Sequence, residues 1–394
     1  MKKTCLVILT TVVLTTFSLS AQNEIKDQLN PVFTGVPSLS ITPDSRGGGM
    51  GDVGAATTPD INSQYWNPAK YAFMESPAGL SMSFTPWLRR LVNDINLSYL
   101  AGYWKFDELQ SVSASLRYFS LGEIKLYDYQ GTEGVTAHPN EMAIDIAYSR
   151  LLSEKLSAAV AFRYIRSDMN IPSSESDMIP GNAIAADVAA YYRTPIEVGT
   201  GDGTLAFGLN ISNIGSKISY GDEESTLFIP TNLRLGGSFE YPFDDYNKIS
   251  FNADINKLLV PSSQIRRINE DGTLEDENDF IARRDAARNM GPIAGIFKSF
   301  GDAPGGFSEE LREIMWSLGA EYTYNNQFFV RAGYFNEHKT KGNRKYFSTG
   351  VGFKLNVFQL DAAYLISVAQ SNPLDGTLRF TLGFDLDGLR NLMN

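Results

Sequence analysis

The chain has 394 residues, of which 43% are hydrophobic and 12% aromatic, yet its mean hydropathy is only -0.18. A formal net charge of -11 at pH 7 argues against nucleic acid as a partner. The single cysteine is Cys5, so cleavage of an N-terminal leader would exclude disulfides, thiolate catalysis and cysteine metal sites from the mature chain.

Residues 1–21 have the pattern of a cleaved secretory signal peptide. Two lysines precede an apolar stretch that ends at Leu19, and the small residues Ser20 and Ala21 mark the cleavage site. Removing the two lysines takes the formal charge from -11 to -13, and an acidic exported chain is ordinary for an outer-membrane protein. We therefore expect the protein to leave the cytoplasm.

Residues 22–77 lack strand periodicity and are rich in Gly, Pro, Asp and Asn. Gly49-Met50-Gly51-Asp52-Val53-Gly54 formally matches the dinucleotide-binding glycine pattern, but no strand leads into it and Pro59 interrupts any following helix. An exported chain also has no nucleotide supply. We expect a hatch or plug instead, in which glycines let the backbone thread a crowded lumen.

From residue 78 onward, segments of about ten residues alternate between apolar and polar side chains, which is typical of strands that cross a membrane. Leu80, Met82 and Phe84, for example, alternate with serines and a threonine. No helix-length apolar run follows the leader, so only a closed barrel could satisfy the backbone in lipid. The pattern predicts an all-β fold, a 14-stranded antiparallel transmembrane β-barrel over residues 78–394. The strands are expected to begin near residues 78, 95, 111, 141, 155, 183, 204, 231, 248, 315, 327, 346, 357 and 377.

The alternation also assigns faces to the strands. The lipid-facing set of the second strand is predicted as Ile95, Leu97, Tyr99, Ala101 and Tyr103, and that of the fourth as Met142, Ile144, Ile146 and Tyr148. Charged side chains on the other face are expected to pair across the lumen and stiffen the barrel: Arg117, Asp145, Arg163, Asp187 and Arg379.

The predicted connections alternate between short and long, which is the pattern of periplasmic turns and outer loops. Short ones follow even-numbered strands and long ones follow odd-numbered strands, so both termini are expected in the periplasm. A soluble β-sandwich fits less well, because its strands would be shorter and its long loops would not alternate so regularly.

The longest predicted connection, residues 257–314, is too long for a turn and is the expected place of the function. A short helix is predicted near residues 280–288, and Ser308 is a candidate N-cap for another. Apolar side chains in an outer loop are costly unless covered, so they predict either a lid over the lumen or a docking surface. The predicted partner-binding residues are Phe280, Ile293, Ile296, Phe297, Phe300 and Phe307.

Catalytic and metal-binding patterns are weak. The histidines, His138 and His338, fall in different predicted loops, and the chain has no Gly-x-Ser-x-Gly sequence. The acidic stretch around residues 270–277 lacks the spacing of a calcium loop. We therefore expect no enzyme activity, no metal and no cofactor.

The segment Arg46-Gly47-Gly48-Gly49-Met50-Gly51-Asp52, followed by Asn67-Pro68-Ala69, resembles the hatch of the FadL superfamily of fourteen-stranded outer-membrane barrels. The hatch residues singled out by this resemblance are Arg46, Gly47, Gly49, Gly51, Asn67, Pro68 and Ala69. Within that superfamily the chain resembles the PorV (LptO) family of the type IX secretion system, which the stretches 81–88 and 307–316 also match.

The resemblance implies a carrier in the outer membrane of a Gram-negative, Bacteroidetes-type bacterium. Its implied partners are a secretion translocon barrel, the C-terminal signal domains of exported cargo, a sortase-like surface attachment complex, and outer-membrane lipid or lipopolysaccharide. The alternative is a FadL-like channel for hydrophobic small molecules, which would need a continuous apolar lining. The predicted inward positions are mostly polar or small, which favours the carrier; a general porin is disfavoured by the predicted plug.

Overall fold

The computed structural model describes residues 29–127, 133–169, 179–199, 201–221, 226–267, 273–368 and 374–386. The predicted signal peptide, residues 1–21, and residues 268–272 of the acidic stretch lie outside these ranges. Across the ranges described, no helix has the length and apolar character needed to cross a bilayer.

Fourteen strands form one closed antiparallel barrel, as the alternation predicts, and each begins within three residues of its expected start. The barrel strands are β1 (Ala78–Pro86), β2 (Asn96–Lys105), β3 (Gln110–Ser120), β6 (Asn140–Ser153), β7 (Leu156–Asp168), β8 (Gly181–Val198), β9 (Gly201–Gly215), β10 (Asn232–Pro242), β11 (Asn247–Leu258), β12 (Met315–Tyr324), β13 (Phe328–Asn336), β14 (Lys345–Leu355), β15 (Phe358–Ser367) and β16 (Leu378–Asp385).

Each barrel strand pairs with its neighbours in the chain, and β1 pairs with β16 to close the cylinder, with Met82 opposite Leu382. Closure leaves no exposed sheet edge, which is the condition for a sheet to lie in lipid. The connection between β3 and β6 forms a separate two-stranded hairpin, β4 (Ile124–Tyr127) and β5 (Glu133–Ala137), where the sequence predicts only a long loop.

Exposure alternates along the strands and agrees with the predicted faces, except in β2. Leu80, Met82 and Phe84 of β1 are exposed. In β2, however, the set predicted to face lipid is buried, including Leu97, Tyr99, Ala101 and Tyr103, while Leu100 and Trp104 are exposed. That assignment is wrong because β2 carries apolar residues on both faces. Its aromatic face packs on the chain inside the barrel: Tyr103 stacks on Tyr71, with ring centroids 5.1 Å apart.

The connections confirm the predicted alternation of lengths. Short turns follow β2, β6, β8, β10, β12 and β14, and the longer connections follow β1, β3, β7, β9, β11, β13 and β15. One end of the barrel therefore carries only short turns, which we term the turn end. The other end, the loop end, carries all the longer connections, including residues 259–314.

Residues 29–77, termed the N-terminal segment, contain two short helices, α1 (Ser45–Gly49) and α2 (Ser63–Trp66), and 3₁₀ turns at Pro37–Ser40 and Pro68–Phe73. The helix α1 packs on β13 to β16, whereas the second 3₁₀ turn packs on β2, β3 and β6 to β8. The segment thus contacts opposite walls of the barrel. At the closing pair of strands, the Ser45 amide donates to Thr381 Oγ1 at 2.9 Å, and Thr381 Oγ1 lies 2.8 Å from Ser83 Oγ.

Candidate functional site: the filled lumen and the long loop

The indole of Trp66 lies between two glycines of the N-terminal segment. A Cβ atom added to Gly47 would lie 2.2 Å from Trp66 Cζ2, and one added to Gly54 would lie 2.1 Å from Cδ2. Trp66 is only 1% exposed, and its Nε1 donates to Asp44 Oδ2 at 2.6 Å. Glycine is therefore required at both positions because the backbone approaches the ring too closely for a side chain, and not because the chain turns there.

Two other glycines bring the segment against the barrel wall. A Cβ atom on Gly49 would lie 3.1 Å from the Cα atom of Gly350. Gly51 has a φ of +76°, and its added Cβ would lie 2.6 Å from the Tyr334 amide nitrogen. Its own amide donates to Ser348 Oγ at 2.7 Å. Gly49 and Gly51, which the sequence predicts as hatch residues, thus lie where the backbone of the segment contacts the backbone of the wall.

Arg46 is the centre of an ion-pair network that joins the segment to the wall. Its guanidinium donates to Glu321 Oε1 at 2.7 Å and to Asp60 Oδ2 at 2.8 Å. Glu321 also accepts from Arg331 Nε at 2.6 Å, and Arg331 pairs with Asp361 at 2.5 Å. All five side chains are largely buried, so the loss of one partner would leave a charge uncompensated.

The Asn67-Pro68-Ala69 triplet begins the second 3₁₀ turn. Asn67 Oδ1 accepts from the Ala69 amide at 3.1 Å, which caps the turn, and Pro68 takes the first position, where no amide donor is needed. Asn67 Nδ2 donates to the Ala55 and Ala190 carbonyls at 3.0 and 2.9 Å. The triplet therefore joins two parts of the segment to strand β8.

Buried titratable groups inside the segment have shifted pKa values. Burial, and then the neighbouring Asp60, raise the pKa of Asp44 to about 6. Burial lowers the pKa of Lys70 to about 8, although Asp60 opposes the shift. Lys70 Nζ donates to the Gly54 carbonyl at 3.0 Å and to Thr57 Oγ1 at 2.9 Å. Asp44 and Lys70 are thus both held by hydrogen bonds within the segment.

The inward charges predicted from sequence divide into two sets. Arg163 pairs with Asp145 at 2.5 Å and with Asp187 at 3.0 Å. Arg117 instead donates to carbonyls of the N-terminal segment, and Arg379 lies 3.5 Å from Asp52 of that segment. The first three residues thus pair, but between adjacent strands of the wall and not across the lumen as predicted. The prediction is wrong for Arg117 and Arg379 as well, because the segment occupies the space between.

Polar groups line both spaces left beside the segment. A cavity of about 470 Å³ opens at the turn end and is lined by charged residues that include Arg193, Glu240, Lys248 and Lys354. A smaller cavity of about 70 Å³ lies towards the loop end. Neither has the continuous apolar lining that a hydrocarbon channel requires.

The long connection folds into three helices, α3 (Glu277–Asn289), α4 (Pro292–Lys298) and α5 (Phe307–Arg312). The predicted helix near residues 280–288 is confirmed as α3. The predicted N-cap is wrong: Gly306 precedes α5 and Ser308 lies inside its first turn. Gly306 takes that place because its φ of +68° is one that glycine adopts readily.

Buried ion pairs hold α5 on the barrel. Lys257 Nζ donates to Glu310 at 3.1 Å and to Glu313 at 2.7 Å, and Lys341 Nζ donates to Glu309 at 2.5 Å and to Glu313 at 3.1 Å. Burial raises the pKa of Glu309, but the hydrogen bonds from Lys341 and Asn30 outweigh it, so the pKa is lowered. The connection is therefore anchored and not a free loop.

Four of the six residues predicted to bind a partner are exposed on this anchored structure. Ile293, Phe297, Phe300 and Phe307 are 58%, 76%, 53% and 76% exposed. Ile293, Phe297 and Phe300 have the i, i+4, i+7 spacing that places side chains on one helical face. We term these four residues the apolar loop surface.

The other side of α4 faces the protein. Gly295 is buried, and a Cβ atom there would lie 3.1 Å from both Phe228 and Pro261. Ile296 is half-buried, and Phe280 is half-buried beneath the guanidinium groups of Arg283 and Arg284. Leu311, 53% exposed on α5, lies close in sequence to this surface and was not singled out by the sequence.

The two histidines do not form a catalytic constellation among the described contacts. His338 Nδ1 lies 2.9 Å from Thr340 Oγ1, and His138 is exposed before β6. No group of three or more His, Cys, Asp or Glu within the described ranges is arranged to hold a metal ion.

The profile of the family described as "Type IX secretion system protein PorV" matches residues 23–265, which is more than half of the chain. Curated proteins gave no match. Among solved structures, the toluene transporter TodX of Pseudomonas putida has 11% identity and a TM-score of 0.46, covering 90% of this chain and 98% of that one. A FadL homologue of Pseudomonas aeruginosa has 11% identity and a TM-score of 0.44, covering 90% and 99%.

A closed fourteen-stranded barrel with an apolar outer belt defines an integral outer-membrane protein. The resemblance noted in the sequence is also confirmed, and the chain belongs to the PorV family of the type IX secretion system.

Proposed function

We propose that this protein is a non-enzymatic carrier of the type IX secretion system. It binds exported cargo through the C-terminal signal domain, receives it at the translocon barrel and presents it to the sortase-like surface attachment complex. Residues 1–21 are a signal peptide, residues 22–77 a plug, and residues 78–394 the barrel. The loop end faces outward, so the connection over residues 257–314 is extracellular.

The observation that supports this proposal is the N-terminal segment inside the barrel. The segment contacts opposite walls, with ion pairs to Glu321 and backbone contacts at Gly350 and Tyr334, and the two cavities described beside it have largely polar linings. An interior of this kind suits action through the surface. This supports binding of a partner over passage of a solute.

The apolar loop surface is the part of the loop end best suited to bind a protein. Phe307 projects from α5, which Lys257 and Lys341 anchor, and the other three side chains lie on or just after α4, which packs on Phe228 and Pro261 at Gly295. A surface held in place in this way loses little conformational entropy when a partner covers it. Covering one such side chain fully is worth about 1.5–3 kcal/mol. Exposed charged residues on α3, such as Arg284 and Asp285, would supply a polar rim.

The alternative function is a FadL-like channel for hydrophobic small molecules. It would require the N-terminal segment to move and to uncover an apolar lining. The lining residues of both interior cavities are largely charged or polar, which supports the carrier instead.

A pair of matched variants tests the proposal in the native organism. Phe297→Ser with Phe307→Ser makes the apolar loop surface polar, whereas Phe243→Ser with Tyr246→Ser makes the same change at exposed residues of the turn end. Quantitative proteomics of periplasm, cell surface and medium is compared with a clean deletion. Only the first variant and the deletion should retain proteins with a shared C-terminal domain in the periplasm.

Two results would contradict the carrier. Unchanged surface proteins in the deletion, together with reduced uptake of a hydrophobic solute, would favour the channel. Normal secretion by the Phe297 and Phe307 variant, at normal abundance in the membrane, would show that this surface does not bind cargo.

A further inference from the structure

The cavity of about 70 Å³ near the loop end is lined by more arginines than carboxylates. It lies between the N-terminal segment and residues of β2, β3, β6, β7 and β9 to β13. The charged residues that line it are Arg117, Arg163, Arg234, Arg344, Asp52 and Asp145.

Two of the four arginines have carboxylate partners. Arg163 lies between Asp145 and Asp187, and Arg344 Nε pairs with Glu337 at 2.9 Å. The lining carboxylates are also accounted for, since Asp145 belongs to the Arg163 cluster and Asp52 lies 3.5 Å from Arg379. Pairing within the protein therefore does not neutralise the remaining two arginines.

Arg117 is 4% exposed and has no ion pair with any described residue. Its Nη1 donates to the Ser38 and Ile41 carbonyls at 2.6 and 2.9 Å, while its Nη2 is buried without a described hydrogen-bond partner. Two neutral carbonyls do not offset its charge, and the carboxylates that act on it, Asp145 and Glu141, make no ion pair with it. A buried cation of this kind is stabilised further by an anion in direct contact.

Arg234 is the second arginine that makes no ion pair among the described residues, although Asp254 acts on it from beyond ion-pair distance. Its Nε donates to Asn256 Oδ1 at 2.8 Å, and its guanidinium lies 4.6 Å from the Trp66 ring. The Cζ atoms of Arg117 and Arg234 lie 5.0 and 5.1 Å from the ring centroid of Tyr65, so they are at most about 10 Å apart. Both guanidinium groups thus act on the same small space.

We propose that this cavity binds a small oxyanion, a carboxylate or phosphate group, between Arg117 and Arg234. Guanidinium groups match the oxygen geometry of both ligands and form charge-assisted hydrogen bonds with them. A water needs about 10–15 Å³ measured in the same way, so this cavity has room for a group of several heavy atoms. The inference goes beyond the proposed function, since neither cargo nor the apolar loop surface takes part.

Isothermal titration of the full-length protein in detergent tests the site, with sodium acetate and sodium phosphate as probes at constant ionic strength. The main variant is Arg234→Gln, because Arg234 is half-buried and makes one described hydrogen bond, so its loss should leave the fold intact. Arg117→Lys is the second variant and keeps the charge. Arg90→Gln is the matched control, in the outer connection after β1 with its side chain 63% exposed.

At least one probe should bind the wild type with one-to-one stoichiometry. Its affinity for Arg234→Gln should be lower by about tenfold or more, and its affinity for Arg90→Gln should equal that for the wild type. Acetate binding alone identifies a carboxylate site, and phosphate binding alone identifies a phosphate site. Absence of binding by the wild type would overturn the proposal. Equal binding by Arg234→Gln would also overturn it, whether or not Arg117→Lys folds.

Discussion

Replacing Gly54 by alanine tests whether close packing around Trp66 holds the N-terminal segment in the lumen. The new Cβ atom would lie 2.1 Å from Trp66 Cδ2 and 2.3 Å from Cγ, so the ring must shift. The φ of Gly54 lies outside the left-handed region, so the cost comes from this clash and not from backbone strain. A shifted indole also loses its hydrogen bond to Asp44.

The expected loss in the free energy of unfolding follows from these two contributions. Overpacking costs about 1–3 kcal/mol, and a hydrogen bond to a charged acceptor contributes about 1.5–3 kcal/mol, so we expect a decrease of about 3–5 kcal/mol. Urea unfolding in detergent micelles, followed by tryptophan fluorescence, measures it. Trp87, Trp104 and Trp316 remain as reporters in every variant.

Two comparisons identify the cause. Gly237→Ala is the control, because its added Cβ would have no neighbour closer than 3.9 Å, and its effect should stay within about 0.5 kcal/mol. In a Trp66→Ala background, Gly54→Ala should cost less than about 1 kcal/mol, because the clashing ring is gone. An equal penalty with and without the indole would refute the packing argument.

Two further predictions concern charged groups. Arg163→Met leaves Asp145 and Asp187 buried without their cation, so the free energy of unfolding should fall by about 3–5 kcal/mol in the same urea assay. The control is Arg150→Met, at an exposed position. Equal losses of unfolding free energy in the two variants would contradict the prediction. The lowered pKa of Glu309 means that its contribution to α5 docking is fully present above its ordinary value of 4.5 and is lost as pH falls through the lowered pKa. Hydrogen exchange of the α5 amides, corrected for intrinsic rates, should therefore show full protection at pH 7 and a loss of protection as the pH is lowered below 4.5; pH-independent protection would contradict this.

Sequence reasoning located the barrel strands well because lipid imposes a strict two-residue period. It failed in β2, where Leu97 and Tyr99 form as apolar a face as Leu100 and Trp104. The pairing of Met82 with Leu100 decides the matter, since directly opposite residues share a face of the sheet. That register is a long-range property, and the sequence alone does not give it.

The candidate site was only partly predictable for the same reason. Glycine-rich composition indicated a close-packed segment, and Arg46 was singled out by resemblance. Its partner Glu321 lies 275 residues away, and no local pattern connects the two. The anchors of the long connection, such as Lys341 with Glu313, are likewise brought together only when β12 and β13 pair and return the chain to the loop end.

The hydroxyl of Thr381 links the pairing of β1 with β16 to the N-terminal segment. It meets Ser83 of the first strand and the amide of Ser45 in the N-terminal segment, so three parts of the chain converge at one atom. A change at this one hydroxyl would therefore act on closure of the barrel and on the position of the segment at the same time.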